Sequence, residues 1–194
     1  MIKFSYLISF LILFNLNFSF ANSIINLTED NWNNITSMTG QFKQTNHDGS
    51  IQHGNFYIQK PYRSLFEYHN QLENILISKY FLHIINEKHH VIDSYPIGSN
   101  PIKYLLLDNL KIDEHFDHSE QELDHEYILH LMKKDRINDY EQVSLHFNKE
   151  TLNLKKWEIT NESGEKTSLE FTKNLKNISI SPDKFVIHHI NLSE

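Results

Sequence analysis

Short segments in which apolar and polar residues alternate run through most of the chain, and they limit the fold more than any other feature. Successive side chains of a β-strand point to opposite faces, so alternation predicts strands with one buried face. The predicted strands are GQFKQTN, IQHGNFYIQK, RSLFEYH, NILIS, YFLHII, VIDSYPI, HEYILHLMKK, EQVSLHF, LKKWEITN and TSLEFTK. No helix alternates with them in a βαβ pattern, so we expect an antiparallel meander that closes on itself or has covered edges.

The residues before the first strand, INLTEDNWNNITSM, are predicted to form a short helix. Thr28 is the candidate N-cap, because Glu29 and Asp30 would then lie in the first turn, where the helix dipole favours acids. The charged segment IDEHFDHSEQELD, between the two groups of strands, is interpreted as a loop with room for one helical turn.

A second short helix is predicted in SNPIKYLLLDN, with Asn100 as its candidate cap. Ile102, Leu105 and Leu106 fall on one face of this helix. A helix of this length is stable only against an apolar surface. We therefore expect it to cover the inside or the open end of the sheet.

The first 21 residues have the three parts of a secretory signal. Lys3 precedes the apolar run FSYLISFLILF, and small residues three apart end in Ala21. We expect cleavage after Ala21, with residues 22–194 forming a single domain in the periplasm; an uncleaved membrane anchor is the alternative. The chain has no cysteine, so it forms no disulfide and has no site for the lipid of a bacterial lipoprotein.

The balance of charges and the missing motifs exclude several classes of function. The chain has 18 Lys and Arg against 25 Asp and Glu, so nucleic acid is not an expected partner. No phosphate loop, nucleophile elbow or H-E-x-x-H motif occurs, so we expect no enzyme, no cofactor and no metal. The best local metal or acid–base candidates are interpreted as solvated turn, loop and tail residues: His115 with His118, His89-His90, His188-His189 and Asp113-Glu114.

One cation interrupts this pattern. Phe56, Ile58 and Lys60 share a face of the second predicted strand, so Lys60 points towards the interior or its rim, immediately before Pro61. Alternation alone gives no reason for a cation at the end of an apolar row. A lysine whose stem lies on the surface while its ammonium reaches water is the simplest interpretation.

Several segments together resemble the LolA family of periplasmic lipoprotein carriers. They are Phe42-Lys43-Gln44, Gly54 to Pro61, Phe66 to Tyr68, NPIKYLLL and the later segment around Trp157. Their order and spacing follow the family from about residue 27 to 187. The resemblance implies a mainly β fold with an α lid: an incompletely closed antiparallel β-barrel of about 10–11 strands, covered by short helices around an apolar cavity.

The resemblance also implies the function. It is that of a soluble, monomeric periplasmic carrier that binds the acyl chains of lipoproteins released by an inner-membrane ABC transporter. The carrier delivers them to an outer-membrane acceptor. A periplasmic binder or sensor of other lipids or glycolipids with the same fold is the alternative. A lipid hydrolase is a third interpretation, for which the sequence shows no nucleophile with an orienting partner.

Candidate site residues follow from the resemblance. The acyl-chain cavity is assigned to Phe56, Ile58, Phe66 and Tyr68, with Ile102, Leu105 and Leu106 on the lid. Lys60 takes the place of an arginine that the family uses to bond lid carbonyls, so it is the candidate lid latch. Lysine lacks the planar fork of arginine, so we expect a looser latch. The alternative for the apolar residues is that they simply fill a core.

Overall fold

The computed structural model describes residues 23–98, 100–134 and 142–189, so the predicted signal sequence lies outside the described residues. Within these ranges, eleven strands form one antiparallel sheet. The strands are β1 (Ser37–Thr45), β2 (Ile51–Gln59), β3 (Arg63–Tyr68), β4 (Glu73–Ile77), β5 (Phe81–Asn86), β6 (Val91–Pro96), β7 (Phe116–Glu122), β8 (Glu126–Lys133), β9 (Gln142–Asn148), β10 (Leu154–Thr160) and β11 (Lys166–Lys176).

The strand order shows a meander that does not close. The order is β6-β5-β4-β3-β2-β1-β11-β10-β9-β8-β7, so neighbours in the sheet are neighbours in sequence except where β1 pairs with β11. Strands β6 and β7 are the two edges of the sheet. The predicted fold class, an incompletely closed antiparallel barrel with short helices, is confirmed.

A contact between two distant strands shows how strongly the sheet curls. Phe66 on β3 and Trp157 on β10 are separated by four strand spacings, which would be about 19 Å in a flat sheet. Their ring centroids are only 6.3 Å apart. The sheet therefore bends around its concave face, and the apolar side chains of that face meet in one interior cluster.

Two glycines allow aromatic rings to lie across neighbouring strands. Gly40 is opposite Phe56 and Gly54 is opposite Phe42 in the β1–β2 register. A Cβ atom at Gly40 would be 2.9 Å from the Phe56 ring, and one at Gly54 would be 2.5 Å from the Phe42 ring. Both positions thus exclude a larger residue, and the two rings fill the interior beside the glycines.

Three short α-helices lie near the interior: α1 (Ile24–Asn33), α2 (Ile102–Leu105) and α3 (Ile112–His115). The prediction that Thr28 caps α1 is wrong. Ser23 is the cap and its hydroxyl accepts from the backbone N–H of Asn26 at 3.3 Å. Thr28 is buried inside the helix, where its hydroxyl donates to the carbonyl of Ile24 at 2.8 Å. Pro101 is at the N-cap position of α2, and Asn100, one residue earlier, supplies the side-chain oxygen that accepts from the N–H of Ile102 at 2.9 Å.

The acidic segment contains the helical turn for which the sequence leaves room, α3, but the part after it is strand β7 and not a loop. Strand β7 pairs with β8 from Phe116 opposite Lys133 to Glu122 opposite Tyr127. Phe116 is its one buried residue, and the rest of the strand is exposed. Because both faces of this edge strand are exposed after Phe116, its sequence shows no alternation of apolar and polar residues. Only its backbone pairing with β8 identifies it as a strand.

A second, smaller apolar cluster lies on the outer face of the sheet. Leu65, Leu76 and Ile85 are buried there, and Phe185 and Ile187 pack against them. The latter two belong to the C-terminal segment, which includes a 3₁₀ helix at Pro182–Phe185. This segment continues to His188, whose backbone N–H donates to the carbonyl of His89 at 2.8 Å.

Candidate functional site

The interior cluster leaves one small gap beneath the helices. The gap occupies about 10 Å³, roughly the room for one water molecule. Its wall combines α1, the α2–α3 segment and the sheet: Thr28, Trp32, Leu105, Leu110, Ile112, Leu129, Leu145, Phe147, Leu154 and Trp157. Because helices form one side of the gap and strands the other, it can widen only if the helices move away from the sheet or from each other.

A larger cleft of about 210 Å³ lies beside this gap. It is lined by Gln44, Phe66, Tyr68, Ile75, Ile77, Leu82, Ile97, Asn100, Ile102, Ile159, Thr167 and Leu169. The cleft and the gap have no lining residue in common. Phe66 belongs to the cleft and Trp157 to the gap, so the contact between these two rings separates the two spaces.

The sequence-predicted cavity residues divide among these spaces. Phe66, Tyr68 and Ile102 line the cleft, and Leu105 lines the internal gap. Phe56, Ile58 and Leu106 are fully buried in the same interior cluster and line neither space. All seven residues therefore face one apolar interior, four of them beside empty volume.

Lys60 is buried, with only 7% of its surface exposed, so it is not a lysine that reaches out to water. Its Nζ donates to the backbone carbonyl of Trp32 at 2.6 Å and lies 4.9 Å from the centroid of the Trp32 ring. Trp32 is on α1, whereas the lid predicted from the sequence is α2. Lys60 thus donates to a helix carbonyl, as the resemblance implies, but the carbonyl belongs to α1 and not to α2.

A second pair of bonds extends this contact to α2. The indole Nε1 of Trp32 donates to the carbonyl of Leu105 at 2.8 Å. In the turn after Lys60, the backbone N–H of Tyr62 donates to the carbonyl of Leu106 at 2.8 Å. Helix α2 is therefore held from two sides, by α1 and by the β2–β3 turn.

Glu29 and Asn33 complete the attachment of α1, and the sequence interpretation did not identify either role. Glu29 is buried and accepts from the backbone N–H of Ile112 at 2.6 Å. Asn33 accepts from the N–H of Leu110 at 2.7 Å and donates to its carbonyl at 3.0 Å. Residues four apart share a helix face, so the spacing of these two side chains was the available signal. Their partner segment was not visible in the sequence.

Burial changes the acidity of two groups near the site. It lowers the pKa of Lys60 to about 8, an effect opposed by the carboxylate of Asp108. It raises the pKa of Tyr68 to about 12, so this phenol stays protonated at neutral pH. The interior therefore contains an uncharged hydroxyl at the cleft and, at Lys60, an ammonium that loses its proton more easily than an exposed lysine does.

Of the remaining candidates from the sequence, His118 Nδ1 lies 3.2 Å from Asp113 Oδ1, and the His115 ring centroid lies 4.7 Å from that of Tyr104. Among the described residues, no group of three or more His, Asp or Glu side chains could hold a metal ion.

Three Ser–His contacts occur among the described residues. Ser78 Oγ lies 3.4 Å from His83 Nε2, and the pairs His83–Ser94 and His130–Ser144 are each 2.8 Å from Nδ1 to Oγ. The two shorter contacts join cross-strand neighbours on the outer face, since His130 alternates with interior residues and His83 is opposite Leu76 of the outer cluster. Neither of these two contacts faces the cleft.

Solved structures with loosely similar folds include three bacterial proteins. The MucA/MucB complex of Pseudomonas aeruginosa matches with TM-score 0.46 and 12% identity, over 84% of this chain and 59% of that one. A LolA superfamily protein from Nitrosomonas europaea matches with TM-score 0.43 and 11% identity, over 84% and 97%. A putative outer membrane lipoprotein-sorting protein domain from Vibrio parahaemolyticus matches with TM-score 0.47 and 9% identity, over 82% and 92%.

Sequence comparison identifies the family. No curated protein matches the chain by sequence. In the part of the chain that the structure describes, no helix is long and apolar enough to cross a membrane. The family model of the outer membrane lipoprotein carrier protein LolA matches residues 33–188. Since this match spans well over half of the chain, the chain belongs to the LolA family of outer membrane lipoprotein carrier proteins.

Proposed function

We propose that this chain is a periplasmic carrier that binds the acyl chains of lipoproteins in its concave interior. The single observation that carries the proposal is the apolar cleft beside Phe66, Tyr68 and Ile102, which adjoins a helix-covered apolar gap. The apolar residues that line the open cleft remain accessible to water, and an acyl chain that entered would bury them.

The internal gap is too small for an acyl chain, so loading requires the interior to open. Separation of α1 from the α2–α3 segment would widen the gap, because Trp32 lines one side of it and Leu105, Leu110 and Ile112 line the other. Movement of the Phe66–Trp157 pair would then join the gap to the cleft. The chain entering from the cleft would lie along the curled sheet.

Opening has a cost that allows the ligand to be released again. Each buried methylene contributes about 0.8 kcal/mol, so fully buried acyl chains would bind too tightly for a carrier. The bonds from Lys60 to Trp32, from Trp32 to Leu105 and from Glu29 to Ile112 are lost on opening. Their loss offsets part of the apolar gain and leaves the lipoprotein exchangeable.

The family supports the rest of the proposal. We propose that residues 1–21 are a cleaved signal and that the remaining single domain works in the periplasm as a monomer. It would receive acylated lipoproteins from an inner-membrane ABC transporter and pass them to an outer-membrane acceptor. No catalytic step, cofactor or metal is needed for this exchange.

Depletion of the protein in its host, followed by localisation of the lipoproteins, tests the cellular role. We expect lipoproteins destined for the outer membrane to accumulate at the inner membrane. Normal sorting after depletion would contradict the carrier role, and mass spectrometry of lipids that co-purify with the protein would then identify another ligand class.

A further inference from the structure

The polar part of the cleft is built from uncharged groups. Of the described residues that line it, Gln44, Tyr68, Asn100 and Thr167 carry hydrogen-bonding groups, the others are apolar, and none is charged. The hydroxyl of Tyr68 donates to Oε1 of Gln44 at 2.7 Å, and Nε2 of Gln44 donates to Oδ1 of Asn46 at 2.6 Å. Tyr68 is held in place by Phe42, whose ring centroid is 5.1 Å away in an edge-on contact.

The cations next to the cleft in sequence are directed away from it. Lys43 precedes Gln44 but pairs with Glu170 at 3.4 Å, and Lys166 precedes Thr167 but pairs with Glu158 at 3.0 Å. Lys103 follows Ile102 and is not among the residues that line the cleft.

Two carboxylates share the concave face of the sheet with the cleft residues. Glu73 is two residues before the cleft residue Ile75, on the same face of β4. Asp93 is opposite Ile84, two residues beyond the cleft residue Leu82 on β5. An anion in the cleft would therefore lose water without gaining a counter-charge from the residues that line it.

We propose that this cleft selects acyl chains whose polar end is an uncharged ester or amide, with Tyr68 and Gln44 as the specificity-determining residues. A carbonyl oxygen needs one donor, which the Tyr68 hydroxyl or the Gln44 amide supplies by exchanging its present partner. A free fatty acid or a phosphate-bearing lipid has the same apolar chain but places a negative charge among neutral groups. This inference rests on the proposed function.

The experiment compares two ligands of equal chain length, monomyristoylglycerol and myristate, with the purified full chain at about pH 8, where the acid is ionised. Trp32 and Trp157 are the two tryptophans of the chain and both line the internal gap, so intrinsic fluorescence reports occupancy. We expect the ester to bind at least about tenfold more tightly than the anion.

Paired lysine variants test the position of the charge. Gln44→Lys places a cation in the cleft, while Thr45→Lys places the same cation one residue further on, on the opposite face of β1. We expect Gln44→Lys to remove or reverse the preference for the ester and Thr45→Lys to keep it. Tyr68→Phe, which deletes only the hydroxyl, should weaken ester binding several-fold.

The outcomes separate this inference from the function on which it rests. Binding of myristate as tightly as the ester, or equal behaviour of the two lysine variants, would overturn the selectivity while leaving acyl-chain binding intact. Failure of both ligands to bind the unmodified chain would overturn the proposed function and the selectivity together. If Gln44→Lys does not fold, judged by its thermal melting, the Tyr68→Phe comparison decides.

Discussion

At the scale of single residues, the buried ammonium of Lys60 is the least expected feature. A charge taken out of water is costly, and Lys60 recovers part of that cost through the Trp32 carbonyl and the Trp32 ring. The net penalty is visible in its lowered pKa, about 8 against an ordinary 10.5. The bond from Lys60 to Trp32 is therefore short, but its donor ammonium loses its proton at a lower pH than an exposed lysine does.

This penalty gives a defined pH dependence. Between about pH 8 and 10.5 the unfolded chain holds a proton on Lys60 that the folded chain has released, so stability rises with pH in this window. We expect the unfolding free energy of the wild-type protein, minus that of Lys60→Met, to increase by up to about 1.4 kcal/mol per pH unit there. Urea denaturation of both proteins at several pH values measures this difference in unfolding free energy. A difference that is constant across the window would contradict the burial of this charge.

Glu29 offers a second test at the same scale, because its two partners differ in exposure. Glu29→Ala leaves the buried N–H of Ile112 without an acceptor, which should cost about 1–3 kcal/mol of unfolding free energy. Lys111→Ala removes only a half-exposed ion pair and should cost less than about 1 kcal/mol. Denaturant titration of both variants checks the ranking. Equal losses would show that the ion pair, and not the bond to Ile112, holds α1 to α3.

At the scale of elements, the helices are attached to each other by few bonds, and one indole joins α1 to α2. Trp32→Phe keeps an aromatic ring in the interior but removes the donor to Leu105. We expect amide exchange in residues 102–106 to accelerate about fivefold, the effect of losing one hydrogen bond. Hydrogen exchange followed by mass spectrometry measures the change.

Trp157→Phe is the matched control for that variant. The indole Nε1 of Trp157 is buried and has no hydrogen-bond partner among the described residues. Its removal should leave exchange in α2 unchanged, because no hydrogen bond to the helix is lost. Equal acceleration by both variants would mean that ring volume, and not the Trp32 bond, holds α2.

The same scale shows why some elements were predictable and others were not. Strands such as β2 have a clear alternation because one face is buried and the other is not. β7 has only Phe116 in the interior, so its existence depends on a backbone partner that periodicity does not reveal. The start of α1 was misplaced because Thr28 resembles a cap in sequence, while burial of its side chain required the helix to begin earlier.

The candidate site divides in a similar way. Periodicity and the family resemblance predict that Phe66, Tyr68 and Ile102 face the same interior. They do not predict that these three residues line the cleft and not the gap. Lys60 was correctly directed inward, whereas its partner Trp32 is 28 residues away and carries no matching signal. Contacts between elements depend on how the sheet curls, and no local pattern encodes that.

At the scale of the whole molecule, the sheet is apolar on both faces along β3 and β4. Phe66 faces the interior while Leu65 belongs to the outer cluster beneath the C-terminal segment. Adjacent apolar residues in SLFEY and NILIS are the sequence signal for such two-sided burial. This half of the sheet is thus packed on both faces, so its movement would break two sets of apolar contacts. We therefore expect the helices, and not these strands, to move when the interior opens.

We propose that acyl chains enter when α1 separates from the α2–α3 segment. The chain has no cysteine, so an introduced pair is unique. Nδ2 of Asn33 on α1 donates to Oδ1 of Asn109 in the α2–α3 segment at 3.2 Å. A disulfide between Asn33→Cys and Asn109→Cys would therefore tie α1 to that segment. Thr45→Cys with Ser168→Cys, facing residues of β1 and β11, would tie two strands instead and serves as the control.

The decisive measurement is uptake of a fluorescent acylated peptide by each pair in its oxidised and reduced forms. We expect the oxidised Asn33–Asn109 pair to lose at least about tenfold in uptake and to recover it on reduction. The strand pair should take up the ligand equally in both forms. Undiminished uptake by the oxidised Asn33–Asn109 pair would contradict entry through the separation of these helices.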